Sequence, residues 1–181
     1  FTPDDITDEN NGTLVLRSSN VQGGKLCLED NVYVNSDISE KLRTRENDIL
    51  ICSRNGSRKL IGKNCLISKD VEGSTWGVFM SIYRCESPVF FYWLLNSSVF
   101  KSQSGLFLTS TINQLTVSTL ENMLVPYVSD LNEQKEIVKY LEIETQRIDE
   151  TIFNEEKRIQ LLKEYKQSLI SEVVTGNKRV V

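Results

Sequence analysis

The chain has 181 residues, 39% hydrophobic and 25% charged, with seven Phe, six Tyr and two Trp. That is enough apolar material for one globular domain with an appendage, or two small units, and it excludes a disordered or collagenous chain. The longest apolar run, residues 89–95, falls short of the ~18–20 residues of a membrane-spanning helix, and the polar opening Thr2-Pro3-Asp4-Asp5 is not a signal peptide.

Residues 1–126 consist of short apolar stretches separated by turn residues. Strands are expected at 13–17, 25–28, 31–34, 48–53, 60–67 and 78–84, bounded by Asn11-Gly12, Gly23-Gly24, Asn55-Gly56 and Glu72-Gly73. Gly23-Gly24 between Val21 and Leu26 predicts a hairpin, because both glycines can take positive φ. A helix is expected over 88–98, with Ser87 as cap, Pro88 in the first turn and Phe91, Leu94 and Leu95 facing the core. Tyr83, Phe90, Phe91 and Trp93 read as core. Trp76 beside Gly77 fits either the core or a contact to sugar or base. Mixed short strands with packed helices give the α+β class.

Pro126 ends this regime and suggests domains at 1–126 and 127–181. Residues 131–175 contain no Gly or Pro. Asp130 or Asn132 can cap a helix whose early turns carry Glu133 and Glu136, and Gly176 suits its C-terminal end. Steps of three and four from Val138 reach Leu141, Thr145, Ile148, Ile152, Glu155, Ile159, Leu162, Lys166, Leu169 and Val173. Eight of these eleven positions are apolar, which is a coiled-coil seam. A helix of that length forms a rod on the order of 60 Å at ~1.5 Å per residue. A rod that long needs a second helix on its seam, from another copy or a related segment, in preference to folding back on its own domain.

Histidine is absent, which removes the commonest general base and the Ser-His and Cys-His arrangements. The four cysteines, Cys27, Cys52, Cys65 and Cys85, form no CxxC pair and read as reduced core residues, so no metal site is expected. The acidic group Asp4, Asp5, Asp8 and Glu9 reads as an exposed terminus. The net charge of −4 conceals a pattern. Residues 1–40 carry −6, residues 41–69 carry +6, residues 70–130 carry −3 and the remainder carries −1. A local +6 can attract phosphate on an acidic protein.

The segment Leu131-Asn132-Glu133-Gln134-Lys135-Glu136-Ile137-Val138-Lys139-Tyr140-Leu141, then Thr145 to Asp149, then Leu161-Leu162-Lys163-Glu164-Tyr165-Lys166-Gln167-Ser168-Leu169-Ile170-Ser171-Glu172-Val173-Val174-Thr175-Gly176, resembles a signature helical region. It is that of the specificity (S) subunits of type I restriction–modification systems. Upstream, Leu16-Arg17-Ser18-Ser19-Asn20-Val21, Asn47-Asp48-Ile49-Leu50 (usually Gly-Asp-Ile-Leu), Ile61-Gly62-Lys63 and residues 88–98 resemble the target recognition domain of the same family. The chain departs from the usual pattern in lacking a proline beside Leu131 and in carrying Glu142 where Asp is common.

The resemblance implies a cytoplasmic, non-catalytic subunit, with one recognition domain reading half of a bipartite site in double-stranded DNA. It implies partnership with methyltransferase (M) and restriction (R) subunits, and a spacer helix packed antiparallel against a second S half or a second copy. No cofactor is expected on the chain itself, with AdoMet, ATP and Mg²⁺ used by the partners. One recognition domain and one helix make half an S subunit, and Phe1 reads as a start part-way into it. Arg suits guanine and Asn or Gln suits adenine, while Lys and Ser suit phosphate or sugar. The expected contacts are Arg54, Asn55, Ser57, Arg58, Lys59 and Lys63, then Arg17, Ser18, Ser19 and Asn20, then Lys101, Gln103, Asn113 and Gln114. Gly56 would let the 54–59 turn approach DNA closely. The expected pairing residues are Val138, Leu141, Ile148, Ile152, Ile159, Leu162, Leu169 and Val173. Alternatives are an interaction protein with no DNA role, and the recognition segment of a single-chain restriction–methylation enzyme.

Overall fold

The computed structural model describes residues 1–107 and 114–180. These form two compact units, Phe1–Lys135 and Glu136–Val181.

In the first unit, β1 (Ile6–Thr7), β2 (Thr13–Leu16), β5 (Tyr33–Val34) and β8 (Thr75–Trp76) make one sheet in the order β1-β5-β2-β8, and β2 and β8 run parallel. Strands β3 (Val21–Gln22) and β4 (Lys25–Leu26) form the expected hairpin, with Gly23 and Gly24 at φ +56° and +79°. Two positive φ values between paired strands match the right-handed twist of the hairpin. A third sheet places β6 (Ile49–Cys52) between β7 (Asn64–Leu66) and β9 (Met80–Tyr83), all antiparallel.

Strand β6 organises the core. All four of its residues are buried, and the alternation of side chains along a strand sends them to opposite faces. Leu50 and Cys52 join Leu16, Val21, Cys65, Ile67, Val71 and Met80, whereas Ile49 and Ile51 join Ile61, Phe100 and Leu115. Trp76 packs against the first cluster, and Tyr83 and Phe91 pack against the second. The turn into β6 explains a sequence substitution. Asn47 has φ +67°, a conformation glycine adopts freely and Asn tolerates better than most residues. Asp48, which follows, is buried and accepts hydrogen bonds from Arg84 Nε at 2.7 Å, Arg84 Nη2 at 2.9 Å and the Arg45 amide at 2.8 Å. A buried carboxylate is stable here because a bidentate guanidinium and a backbone donor satisfy it.

Several expected strands are shorter than their apolar runs. Residues 58–60 form a 3₁₀ turn and Gly62 takes φ +81°, so the expected 60–67 strand contracts to β7. A Cβ at Gly62 would lie 2.9 Å from the Phe100 ring. Residues 78 and 79 turn, so β9 begins at Met80. The expected helix appears as α1 (Pro88–Asn96), followed by α2 (Ser98–Phe107). Ser87 occupies the cap position but its hydroxyl makes no cap bond. Phe90 is the buried residue of α1, while Phe91 and Leu95 pack against the second cluster. A short α3 (Val117–Glu121) follows, capped by Thr116, whose hydroxyl accepts from the Thr119 amide.

The cysteines are free, with Cys52 and Cys65 buried. Burial pushes the Cys65 thiol up to about 12. Cys27 and Cys85 are half-buried, so core membership fits two of the four.

Helix α4 (Leu131–Val174) starts where expected. The Asp130 carboxylate accepts from the Asn132 amide at 2.8 Å, and the Asp130 carbonyl accepts from the Gln134 amide. Its beginning belongs to the first unit. Tyr127 stacks on Phe91, and the buried Gln134 side chain donates to the Val128 carbonyl. From Glu136 onward α4 forms the second unit, and Gly176 follows its end at φ +78°. Among the described residues no helix is long and apolar enough to cross a membrane.

Candidate nucleic-acid interface

Two expected loops meet at one cleft. Residues 17–19 leave the end of β2, and residues 54–56 leave the end of β6. The Asn55 side-chain amide donates to Ser18 Oγ at 3.0 Å and fixes one loop against the other. The Asn55 carbonyl oxygen accepts from the Ser57 amide at 2.9 Å, an Asx turn that shapes residues 55–57. The Asn55-Gly56 step is therefore the expected turn, a bend leading into the 3₁₀ turn at 58–60. Gly56 faces open space.

The cleft has a volume of about 610 Å³, and its other wall is formed by residues 77–80. That wall is held from both sides. The Gly77 amide donates to the Leu16 carbonyl at 2.9 Å, and the Phe79 carbonyl accepts from the Ser53 and Arg54 amides at 2.9 and 3.1 Å. Val78 and Phe79 are consequently presented outward, 88% and 51% exposed. The Arg54 guanidinium lies 5.3 Å from the centre of the Phe79 ring, a cation–π geometry that orients its donors. Sequence reasoning missed Val78 and Phe79 because they merge with the apolar run of β9. Gly77 between Trp76 and Val78 is the signal for a turn there.

A second, larger groove of about 980 Å³ contains Arg58, Lys59, Lys63 and Lys101, together with the β3–β4 hairpin and Asn96. Arg58, Lys59 and Lys101 are exposed. Gln114, also exposed, pairs with Arg54 in an isolated antiparallel bridge. Asn113 lies outside the described residues.

Three residues expected to touch DNA are instead tied into the fold. Asn20 is 0% exposed. Its carbonyl oxygen accepts from the Arg17 amide, and its NH₂ group donates to the Cys27 and Asp30 carbonyls and to Asn31 Oδ1. The Lys63 ammonium donates to the Ser18 and Val21 carbonyls, so it braces the 17–21 segment from behind. The Gln103 amide brackets Leu124, donating to its carbonyl and accepting from its N–H. Each residue uses its polarity to satisfy backbone groups outside the ladders.

Arg17 is divided between roles. It forms an ion pair with Asp30 at 2.9 Å and donates to the Asp30 carbonyl, yet its side chain remains 38% exposed on the cleft. Arg43 is likewise tied down, by the Gly73 carbonyl and Glu40. Within the basic segment, Arg54, Arg58 and Lys59 are thus the cations turned toward the two grooves.

The expected pairing residues divide by exposure. Ile148, Ile152, Ile159 and Leu162 are 50–57% exposed, while Val138, Leu141, Leu169 and Val173 are half-buried.

A family model described as "Type I restriction modification DNA specificity domain" matches residues 3–164. The chain belongs to that family. It is 28% identical over 167 residues to the type I restriction enzyme StySPI specificity subunit of Salmonella potsdam, and 27% identical to the EcoKI specificity subunit of Escherichia coli K12. Each alignment covers 90% of this chain and 36% of the relative, so the chain spans just over a third of the curated relatives it matches. Among solved structures it resembles the HsdS subunit of Thermoanaerobacter tengcongensis, with a TM-score of 0.63 at 18% identity over 92% of this chain and 44% of that one. A chain from a structure titled for complex assembly and conformational transition of the type I R-M system gives a TM-score of 0.66 at 18% identity, over 97% and 46%. The two solved structures establish the shared fold, a mixed-strand recognition domain followed by a long helix.

Proposed function

We propose that this chain is one DNA-reading half of a type I specificity subunit, a cytoplasmic non-catalytic component that gives its partners a sequence preference. The observation that carries this reading is the convergence of residues 17–19 and 54–56 on one cleft, locked by the Asn55–Ser18 hydrogen bond and adjoining the groove with Arg58, Lys59 and Lys101. Loops held in place while they present guanidinium groups suit base edges, and ammonium groups suit phosphates. Residues 1–126 read one half of a bipartite duplex site. Residues 127–181 supply the spacer, pairing with a second S half or a second copy. The reaction chemistry rests with M subunits using AdoMet and R subunits using ATP and Mg²⁺, scaffolded by the S subunit.

The test is a duplex mobility-shift titration of the chain with its M partner across a salt series. Charge reversal of Arg54, Arg58 and Lys59 is expected to weaken the shift and flatten its salt dependence by about 2 to 3 in log–log slope, at ~0.9 for each phosphate no longer neutralised. Unchanged binding and slope overturn the assignment.

The exposed apolar seam of α4 favours a second reading, an interaction protein that dimerises without touching DNA. Wild-type protein with M subunit that leaves duplexes unshifted at low salt supports that reading and excludes the first.

A further inference from the structure

Residues 77–80 form a tight turn in which the Met80 amide donates to the Gly77 carbonyl at 2.9 Å. Val78 and Phe79 are its central residues, at positions that Gly, Asn, Asp and Ser commonly fill. Both flanks are anchored. Trp76 packs against the first core cluster and Met80 belongs to it. The Gly77 amide and the Phe79 carbonyl are bonded to residues at the ends of β2 and β6. The turn is thus a fixed ledge with an apolar tip. Val78, at 88%, is the most exposed large hydrophobic residue among those described, and such a tip gains free energy once an apolar group covers it.

The neighbours of the tip determine what can cover it. Arg17 and Arg54 line the same cleft, and no carboxylate among the described residues does, which suits a polyanion. Guanidinium groups match guanine O6 and N7 in the major groove, where the one apolar group that a base pair displays is the 5-methyl of thymine. Apolar side chains also meet DNA as wedges between base steps, a role filled by Phe, Leu, Ile, Met or Pro. This ledge is not built for that. Val78 is short, and the Arg54 guanidinium lies over one face of the Phe79 ring, 5.3 Å from its centre, so that face cannot stack on a base. A valine, by contrast, is stiff about its one side-chain torsion and offers its methyls in place at small entropic cost. We propose that Val78 reads the 5-methyl group of a thymine neighbouring the guanine that Arg54 contacts, with Phe79 orienting Arg54 and walling one side of the methyl site.

The inference rests on the proposed DNA-reading function and adds the chemical group that one residue selects. The test uses the full chain with its M partner. Duplexes enriched from a randomised pool by mobility shift are resynthesised with deoxyuridine in place of each thymidine in turn, because uracil pairs as thymine does and lacks only the methyl group. At one thymine beside a G·C pair, the replacement should weaken wild-type binding by about threefold to fivefold, the worth of one buried methyl group. V78A should lose a similar factor on the thymine duplex, and in V78A the same uracil should cost less than about twofold, since the two changes remove one contact. V78A should unfold at the wild-type Tm, because the side chain is exposed. Uracil replacements that are silent throughout, or a uracil cost that V78A leaves intact, would overturn the inference while the DNA-reading function stands. A V78A chain that no longer binds the M subunit in gel filtration would do the same by making the tip a protein contact. If no duplex is enriched at low salt, the DNA-reading function fails and the inference with it.

Discussion

Replacing Asn20 by alanine separates a DNA-reading residue from a structural one. The side chain is fully buried and makes four hydrogen bonds. Its loss does not orphan every partner. The Asp30 carbonyl retains its bond from Arg17 Nη2, and Asn31 Oδ1 belongs to a half-buried residue. The Arg17 amide and the Cys27 carbonyl are left without these partners, at about 1–3 kcal/mol each for a group shielded from water. The expected destabilisation is therefore about 2–6 kcal/mol, which lowers Tm by roughly 8–23 °C in a domain of this size. Thermal unfolding followed by circular dichroism measures the first quantity. Duplex affinity at about 10 °C, where the variant remains folded, measures the second and should stay within about threefold of wild type. A variant with unchanged Tm and a tenfold loss of affinity would refute the reasoning and make Asn20 a base-reading residue.

Other outcomes follow from the same geometry. Val78→Asp should leave Tm unchanged, because the side chain is exposed, and should weaken duplex binding by about tenfold through repulsion of the phosphates. Full affinity by fluorescence anisotropy would remove Val78 from the interface. Phe79→Ala deprives the Arg54 guanidinium of its aromatic face, so a two- to fivefold loss of affinity is expected from about 0.5–1 kcal/mol of cation–π energy. Gln103→Ala should cost about 1 kcal/mol of stability and leave duplex affinity intact; a selective loss of affinity would contradict its assignment as a backbone bracket. Burial holds the Cys65 thiol protonated up to about 12 against an ordinary 9.0. Above pH 9 the unfolded chain therefore ionises this group while the folded one does not, and stability falls as pH rises from 9 toward 12. Relative to Cys65→Val, wild type should lose about 1 kcal/mol between pH 8 and pH 10 in denaturant titrations; parallel pH profiles would show that burial does not hold the thiol neutral.

The long helix was legible in the sequence because 3.5-residue periodicity, Asp130 at its start and Gly176 past its end all describe the same element. The β3–β4 hairpin was legible for the same reason, since two adjacent glycines between apolar residues permit few other turns. Strand limits were less so. Apolarity marks burial and not extension, and the runs at 60–67 and 78–84 contain buried or protruding residues in turn conformation. The site was partly readable. The basic segment pointed to Arg54, Arg58 and Lys59, but Lys63, from the same charge run, and Asn20 and Gln103 are spent on backbone groups. Composition cannot distinguish a polar side chain that satisfies the fold from one offered to a ligand. That depends on which carbonyls and amides the tertiary structure leaves unpaired nearby. Val78 and Phe79 were hidden for the converse reason, being apolar residues that the turn at Gly77 directs outward.

The central claim is that residues 17–19 and 54–59 select one half of a bipartite DNA site. Methylome sequencing of the source strain with the intact gene, without it, and with residues 54–59 replaced tests this directly. The account predicts a bipartite methylated motif that disappears with the gene. Replacement of residues 54–59 should change or abolish one half of that motif, while any motif still methylated keeps the other half and the spacing. A motif unaltered by the replacement, or a methylome indifferent to the gene, would contradict it.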